Sequence, residues 1–165
     1  MDDTLLTDDH TISEENKKML AQAKAMGVYV VLASGRPTPA MTAYAKELEL
    51  DDSYMISYNG AVITDLSNDE VIFEQTLTQE QIHALYDYSI AHKTHIITYV
   101  NNQIVSETDS QYIDVEKNIT GLAHNKVPDF KAEVQSSAIK CILLEDPEYL
   151  KKVETHLKEE LKPRI

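Results

Sequence analysis

A chain of 165 residues with 42% hydrophobic and 26% charged residues is ordinary globular material, long enough for one good core or two small ones. Its formal net charge of −13 argues against nucleic acid or an anionic membrane as partner, because phosphate backbones need a basic footprint. No apolar run approaches the roughly 20 residues of a membrane span, and Met1-Asp2-Asp3 is acidic where a leader peptide is basic, so a cytoplasmic setting is expected.

The acidic start from Met1 to Asp9 leads into a predicted helix over Thr11 to Met26. Thr11 and Glu14 have capping-box spacing, Gly27 is a natural stop, and Met19, Leu20, Ala23 and Met26 form one apolar stripe. Val28 to Leu32 is β-branched and aromatic without polar alternation, which predicts a parallel strand covered on both faces. The strand delivers Ser34, Gly35, Arg36 and Pro37, a polar turn at the carboxyl end where ligands of open α/β sheets bind. Thr38 and Pro39 then suit an N-cap and first helical position, with Met41, Tyr44, Ala45 and Leu48 at helical spacing to about Leu50. Tyr54 to Ser57 and Ala61 to Thr64 flank Asn59-Gly60, the signature of a type I′ hairpin, and Val71 to Gln75 reads as a further strand.

At Thr78 the pattern resets, with Thr78 and Gln81 in capping-box spacing and Ile82, Leu85, Tyr86, Ser89 and Ile90 on one helical face. Strands are expected at His95 to Val100 and Gln103 to Glu107 around Asn101-Asn102, and a weak helical or irregular stretch from Ser110 to Leu122. Ala138 to Leu144 is an apolar strand holding the single cysteine, Cys141, which suits a buried core thiol better than redox or metal chemistry. Asp146-Pro147 begins a helix with Leu150, Val153, Leu157 and Leu161 on one face, ending at Pro163. The elements read as an α/β chain with a boundary near Thr78, beyond which the second half is a self-contained α+β pattern of hairpin, helix, strand and helix.

Three pieces, Asp2-Asp3-Thr4-Leu5-Leu6, Ala33-Ser34-Gly35-Arg36-Pro37 and Ser57-Tyr58-Asn59-Gly60-Ala61, together resemble the haloacid dehalogenase-like phosphatases of the Cof type. The resemblance spans the whole chain, includes Lys140 to Pro147, and implies a partial Rossmann-like core over residues 1–77 followed by an α+β cap domain over residues 78–165. It implies hydrolysis of a small phosphorylated metabolite, a sugar phosphate above all, through an aspartyl phosphate and with magnesium. In the family's D-x-D-x-T motif the first aspartate attacks phosphorus and the second is general acid and base. Laid on this chain, Asp2 takes the second role and contributes to metal binding, Thr4 is the motif threonine, and the nucleophile falls one residue before Met1. Ser34 corresponds to the hydroxyl that binds the transferring phosphoryl group, and Gly35 gives close backbone approach. Arg36 supplies a local cation for phosphate or makes a structural ion pair. Asn59 and Gly60 form a turn first, and would face the substrate in the family.

The family's motif lysine and its acidic magnesium-binding pair come after the cap, and Lys140, within a cap-like strand, is not that lysine. The resemblance thus implies a chain cut at both ends and inactive alone, magnesium belonging to the complete enzyme. The alternative is a non-catalytic remnant or an interaction module built on the cap fold. Self-association is expected through the open strand edge at Val28 to Leu32. Asp2, Asp3, Asp8 and Asp9 also read as a solvated acidic terminus, and His92 and His95 have only loose metal-ligand spacing. The tyrosines Tyr86, Tyr88, Tyr99 and Tyr112 are candidates for a cap surface, with Tyr86 placed in the core by its helical spacing.

Overall fold

The computed structural model describes residues 1, 2 and 4–161, with the side chain of Leu161 left aside. The described residues form six helices and two four-stranded sheets, a mixed α/β fold. The chain divides into two compact units, Met1–Gln75 and Thr76–Ile165.

In the first unit, Leu6 and Ile12 make an isolated antiparallel bridge that closes a small hairpin. Helix α1, Glu14–Ala25, follows. Its N-cap is Ser13, whose side chain accepts from the Asn16 N–H, so the predicted start at Thr11 lies too early. Thr11 instead bonds to Thr7 across the hairpin, leaving the next hydroxyl residue to cap. The predicted apolar stripe is not buried either: α1 has no buried residue, Met19 is 56% and Met26 83% exposed, and only Leu20 packs against the core.

Strand β1 is Leu32–Ala33, far shorter than the predicted Val28 to Leu32. Val28, Tyr29 and Val31, before it, are exposed; among the described residues β1 pairs with one strand, parallel to β2, Tyr54–Ser57. Helix α2, Pro39–Glu47, links them and buries Met41 and Ala45. Thr38 precedes it without capping it; its hydroxyl pairs with that of Ser57 at 2.6 Å. Strands β3, Val62–Asp65, and β4, Glu70–Glu74, continue the sheet antiparallel in the order β1-β2-β3-β4. Between β2 and β3, Asn59 at φ 60° and Gly60 at φ 95° form the expected left-handed pair, and the Ala61 N–H donates to the Tyr58 carbonyl. The core of this unit is Leu6, Ile12, Leu32, Met41, Ala45, Leu48, Leu50 and Met55.

In the second unit, α3, Gln79–Ala91, carries the complete capping box of Thr78 and Gln81. It buries Ile82, Tyr88 and Ser89, while Ile90, expected on the inner face, is 58% exposed. Strands β5, His95–Val100, and β6, Gln103–Ser106, pair through Asn101-Asn102, both at positive φ. Helix α4, Gln111–Thr120, is well formed where a weak stretch was expected, since Ser110 caps its start and Gly121 at φ 69° closes it. Strand β7, His124–Lys126, runs parallel to β6; α5, Phe130–Glu133, follows; and β8, Cys141–Leu144, pairs antiparallel with β5. Helix α6, Pro147–Leu161, starts where Asp146 accepts from the N–H groups of Glu148 and Tyr149. The predicted stop at Pro163 lies outside the described residues.

The sheet order is β7-β6-β5-β8. One cluster holds Ile82, Ile96, Val105 and Phe130, with Tyr86 stacked on Phe130 at 5.2 Å, and another holds Ile97, Ile104 and Ile113. Tyr88 is core as well, its hydroxyl donating to the Val153 carbonyl, so two of the four candidate surface tyrosines serve packing. Burial pushes the Cys141 thiol up to about 11, which makes it a poor nucleophile.

Candidate functional site

The turn Ser34-Gly35-Arg36 is laced to the β2–β3 loop by backbone bonds. The Ser34 N–H donates to the Ile56 carbonyl at 2.9 Å, the Asn59 N–H to Ser34 at 3.1 Å, and the Tyr58 N–H to Arg36 at 2.9 Å. These bonds follow from β1 and β2 running parallel, which brings both carboxyl ends to the same place. Ser34 Oγ accepts from the Arg36 N–H at 3.3 Å, which leaves its own proton to donate to a ligand. A Cβ on Gly35 would lie 2.9 Å from Asn59 Oδ1, so the two meet side chain to backbone. Gly60 has open space around it; its contribution is the positive φ of the turn.

Arg36 is buried, 5% exposed, and its guanidinium grips the Asp2 carboxylate with both ends: Nε to Oδ2 at 3.2 Å and one terminal nitrogen to Oδ1 at 2.5 Å. The Met1 ammonium group donates to the Ala33 carbonyl at 3.5 Å and sets Asp2 beside the end of β1. The Arg36 hydrogen bond holds the Asp2 carboxyl below the usual carboxylate range, against a smaller opposing effect of burial. Burial works against the Arg36 charge, yet the Asp2 carboxylate keeps its pKa raised. An ionised Asp2 can take up a proton but has none to give. Burial also pushes the Tyr58 hydroxyl up to about 12.

Of the residues selected from sequence, the structure brings together Asp2, Ser34, Gly35, Arg36 and Asn59. Thr4 does not join them: it is exposed, and its hydroxyl donates back to the Asp2 carbonyl at 3.3 Å. Asp3 lies outside the described residues. Sequence reading passed over His10, whose Nδ1 is 3.3 Å from an Arg36 terminal nitrogen and 3.9 Å from Asp2 Oδ1. It also passed over Tyr44, whose ring lies under the guanidinium at 5.7 Å and whose hydroxyl donates to the His10 carbonyl. The signal for His10 was the polar run Thr7-Asp8-Asp9-His10-Thr11, a turn that reverses the chain toward the site.

Magnesium needs several hard oxygen ligands. Among the described residues no three His, Cys, Asp or Glu side chains converge to hold a metal, and Asp2 faces a guanidinium rather than an open position. The donors described do not fit a magnesium site. His92 and His95 do not form a zinc site there either: His92 stacks on Tyr88 at 4.1 Å, and His95 bonds to Thr108.

The chain is 31% identical over 170 residues to YxeH of Bacillus subtilis strain 168, which carries a provisional phosphatase designation, covering 99% of this chain and 62% of that protein. It is 35% identical over 104 residues to YcsE of the same organism, named a 5-amino-6-(5-phospho-D-ribitylamino)uracil phosphatase, covering 63% of this chain and 41% of that protein. The crystal structure of a haloacid dehalogenase-like hydrolase from Bacteroides thetaiotaomicron superposes with a TM-score of 0.88 at 29% identity, over 98% of this chain and 62% of that one. The chain therefore spans about three fifths of the length of YxeH and of this structure, and less of YcsE. No helix among the described residues is long and apolar enough to cross a membrane. The family model for haloacid dehalogenase-like hydrolases matches residues 1–165, and the chain belongs to that family.

Proposed function

We propose that this chain carries part of the site of a phosphatase that acts through an aspartyl phosphate on a small phosphorylated metabolite, with a sugar or polyol phosphate as the substrate class. The observation that carries the reading is the turn at Ser34 and Gly35, a hydroxyl with a proton to donate beside a glycine, held at the carboxyl end of β1. The phosphoribityl substrate in the name of YcsE supports the substrate class. Ser34 and Gly35 would hold the phosphoryl oxygens, Asn59 would support Gly35, and an ionised Asp2 would accept the proton of attacking water.

The 165 residues alone are proposed to be inactive. Phosphoryl transfer needs a carboxylate in line with phosphorus, and both oxygens of the Asp2 carboxylate are engaged by Arg36. Arg36, neutralised by Asp2, serves this reading as an anchor for Asp2 before it serves as a phosphate cation. Magnesium enters only as a property of a longer protein, and no step here is drawn through it. Val28, Tyr29 and Val31, exposed beside the one-sided strand β1, are proposed as a self-association edge.

Assays with sugar phosphates and magnesium on this chain, and on the protein extended through the flanking reading frame, test the proposal. Turnover by the extended protein alone is expected. Silence in both would favour the alternative, a non-catalytic interaction module, to which the closed Asp2–Arg36 pair lends some weight.

A further inference from the structure

The tip of the Leu6–Ile12 hairpin is His10, at φ 56°, a left-handed conformation that histidine tolerates better than most side chains. Three contacts fix it there. Its N–H donates to the Thr7 carbonyl at 2.9 Å, its carbonyl accepts from the Tyr44 hydroxyl at 2.9 Å, and its Nδ1 meets an Arg36 terminal nitrogen at 3.3 Å. The last contact determines the imidazole. A guanidinium has donors and no acceptor, so Arg36 must donate and Nδ1 must accept with its lone pair. The ring hydrogen therefore sits on Nε2. The His10 side chain is 46% exposed and lies at the rim of the Asp2–Arg36 pair, its Nδ1 3.9 Å from Asp2 Oδ1.

We propose that His10 is a substrate-contacting residue whose Nε2–H, aimed by the buried Arg36 through Nδ1, donates to an oxygen of the phosphorylated substrate. The assignment rests on the phosphatase reading above, and gives Arg36 a second function: the guanidinium that secures Asp2 also sets the tautomer of its neighbour. The oxygen is either on the phosphoryl group or on the leaving group, since both expose acceptors to an N–H.

Long-range proton–nitrogen NMR of the ¹⁵N-labelled chain reads the tautomer directly, and titrations with inorganic phosphate and then glucose 6-phosphate read the contact. The Nε2–H pattern is expected, together with ligand-induced shifts at the Ser34 and Gly35 amides and the His10 ring. A ring response to phosphate alone assigns the phosphoryl oxygen; a response only to glucose 6-phosphate assigns the leaving group. His10→Phe should weaken binding by about five- to tenfold, and His10→Gln, which keeps an amide donor near the same point, should recover most of it. An Nδ1–H pattern overturns the inference. So do Ser34 and Gly35 shifts with an unmoved His10 ring, an outcome that leaves the phosphatase reading in place. Absence of any shift at Ser34 and Gly35 overturns both.

Discussion

Gly35 owes its lack of a side chain to one neighbour, because a Cβ there would press on the amide of Asn59 at 2.9 to 3.0 Å. Gly35→Ala should cost about 1 kcal/mol, the low end for an overpacked site, since the amide is the far end of a side chain. In an Asn59→Gly background, which retains the left-handed turn, the same change should cost measurably less by urea denaturation. Asp2 and Arg36 give a second test. Asp2→Ala leaves a buried guanidinium without its carboxylate and should lower stability by ~1–3 kcal/mol at pH 7. The folded pKa of Asp2 lies below its ordinary value, so its contribution is present above the carboxylate range and is lost as pH falls through the folded pKa. The gap between the parent and Asp2→Ala should close on acidification, measured as midpoint against pH. Ser34, Gly35 and Arg36 were legible in sequence as a motif; that Arg36 makes an ion pair stood as one of two options, and its partner Asp2, 34 residues away, was not named by the sequence. For His10 the sequence carried only the signal of a turn, and a hairpin with a single bridge did not say where that turn leads.

Some elements announced by a local chemical signal formed where sequence placed them, although the signals at Thr11 and Thr38 did not cap α1 and α2. Thr78 and Gln81 cap α3 reciprocally, and Asn101-Asn102 turns β5 into β6. Thr78→Ala should cost ~1 kcal/mol by thermal or urea unfolding, as loss of an N-cap does. Elements that depend on partners were misread. Val28 to Leu32 has strand composition, but a strand needs neighbours, and only Leu32–Ala33 finds one in β2. Strand β7, His-Asn-Lys, has no apolar pattern at all and exists because β6 offers a parallel edge. Exposed apolar side chains also line β4, where Val71, Ile72 and Phe73 are each about half exposed on an outer strand. Sedimentation should therefore show self-association that Tyr29→Lys with Val31→Lys reduces. Reduction only by Ile72→Lys would move the interface to β4.

Each unit has its own core, but the two are unequally covered. In the first, α1 buries no residue and β4 is exposed along its whole length. In the second, β5 is six residues long, with Ile96 in one cluster and Ile97 in the other. Amide exchange should accordingly be slower in β5, β6 and α3 than in β1, β4 and α1; equal protection in the two units would contradict this. The α/β class was readable because periodicity and capping are local, whereas the site is assembled from residues 2, 34–36 and 59 by the β1–β2 pairing. Binding of a transferring phosphoryl group by the Ser34 turn is what the proposed function requires first. Its most direct test is the kcat/KM of Ser34→Ala in the protein extended through its flanking reading frame, with folding monitored by circular dichroism. A loss of about 10²- to 10³-fold with an unchanged spectrum is expected, and full activity in the variant would contradict the account.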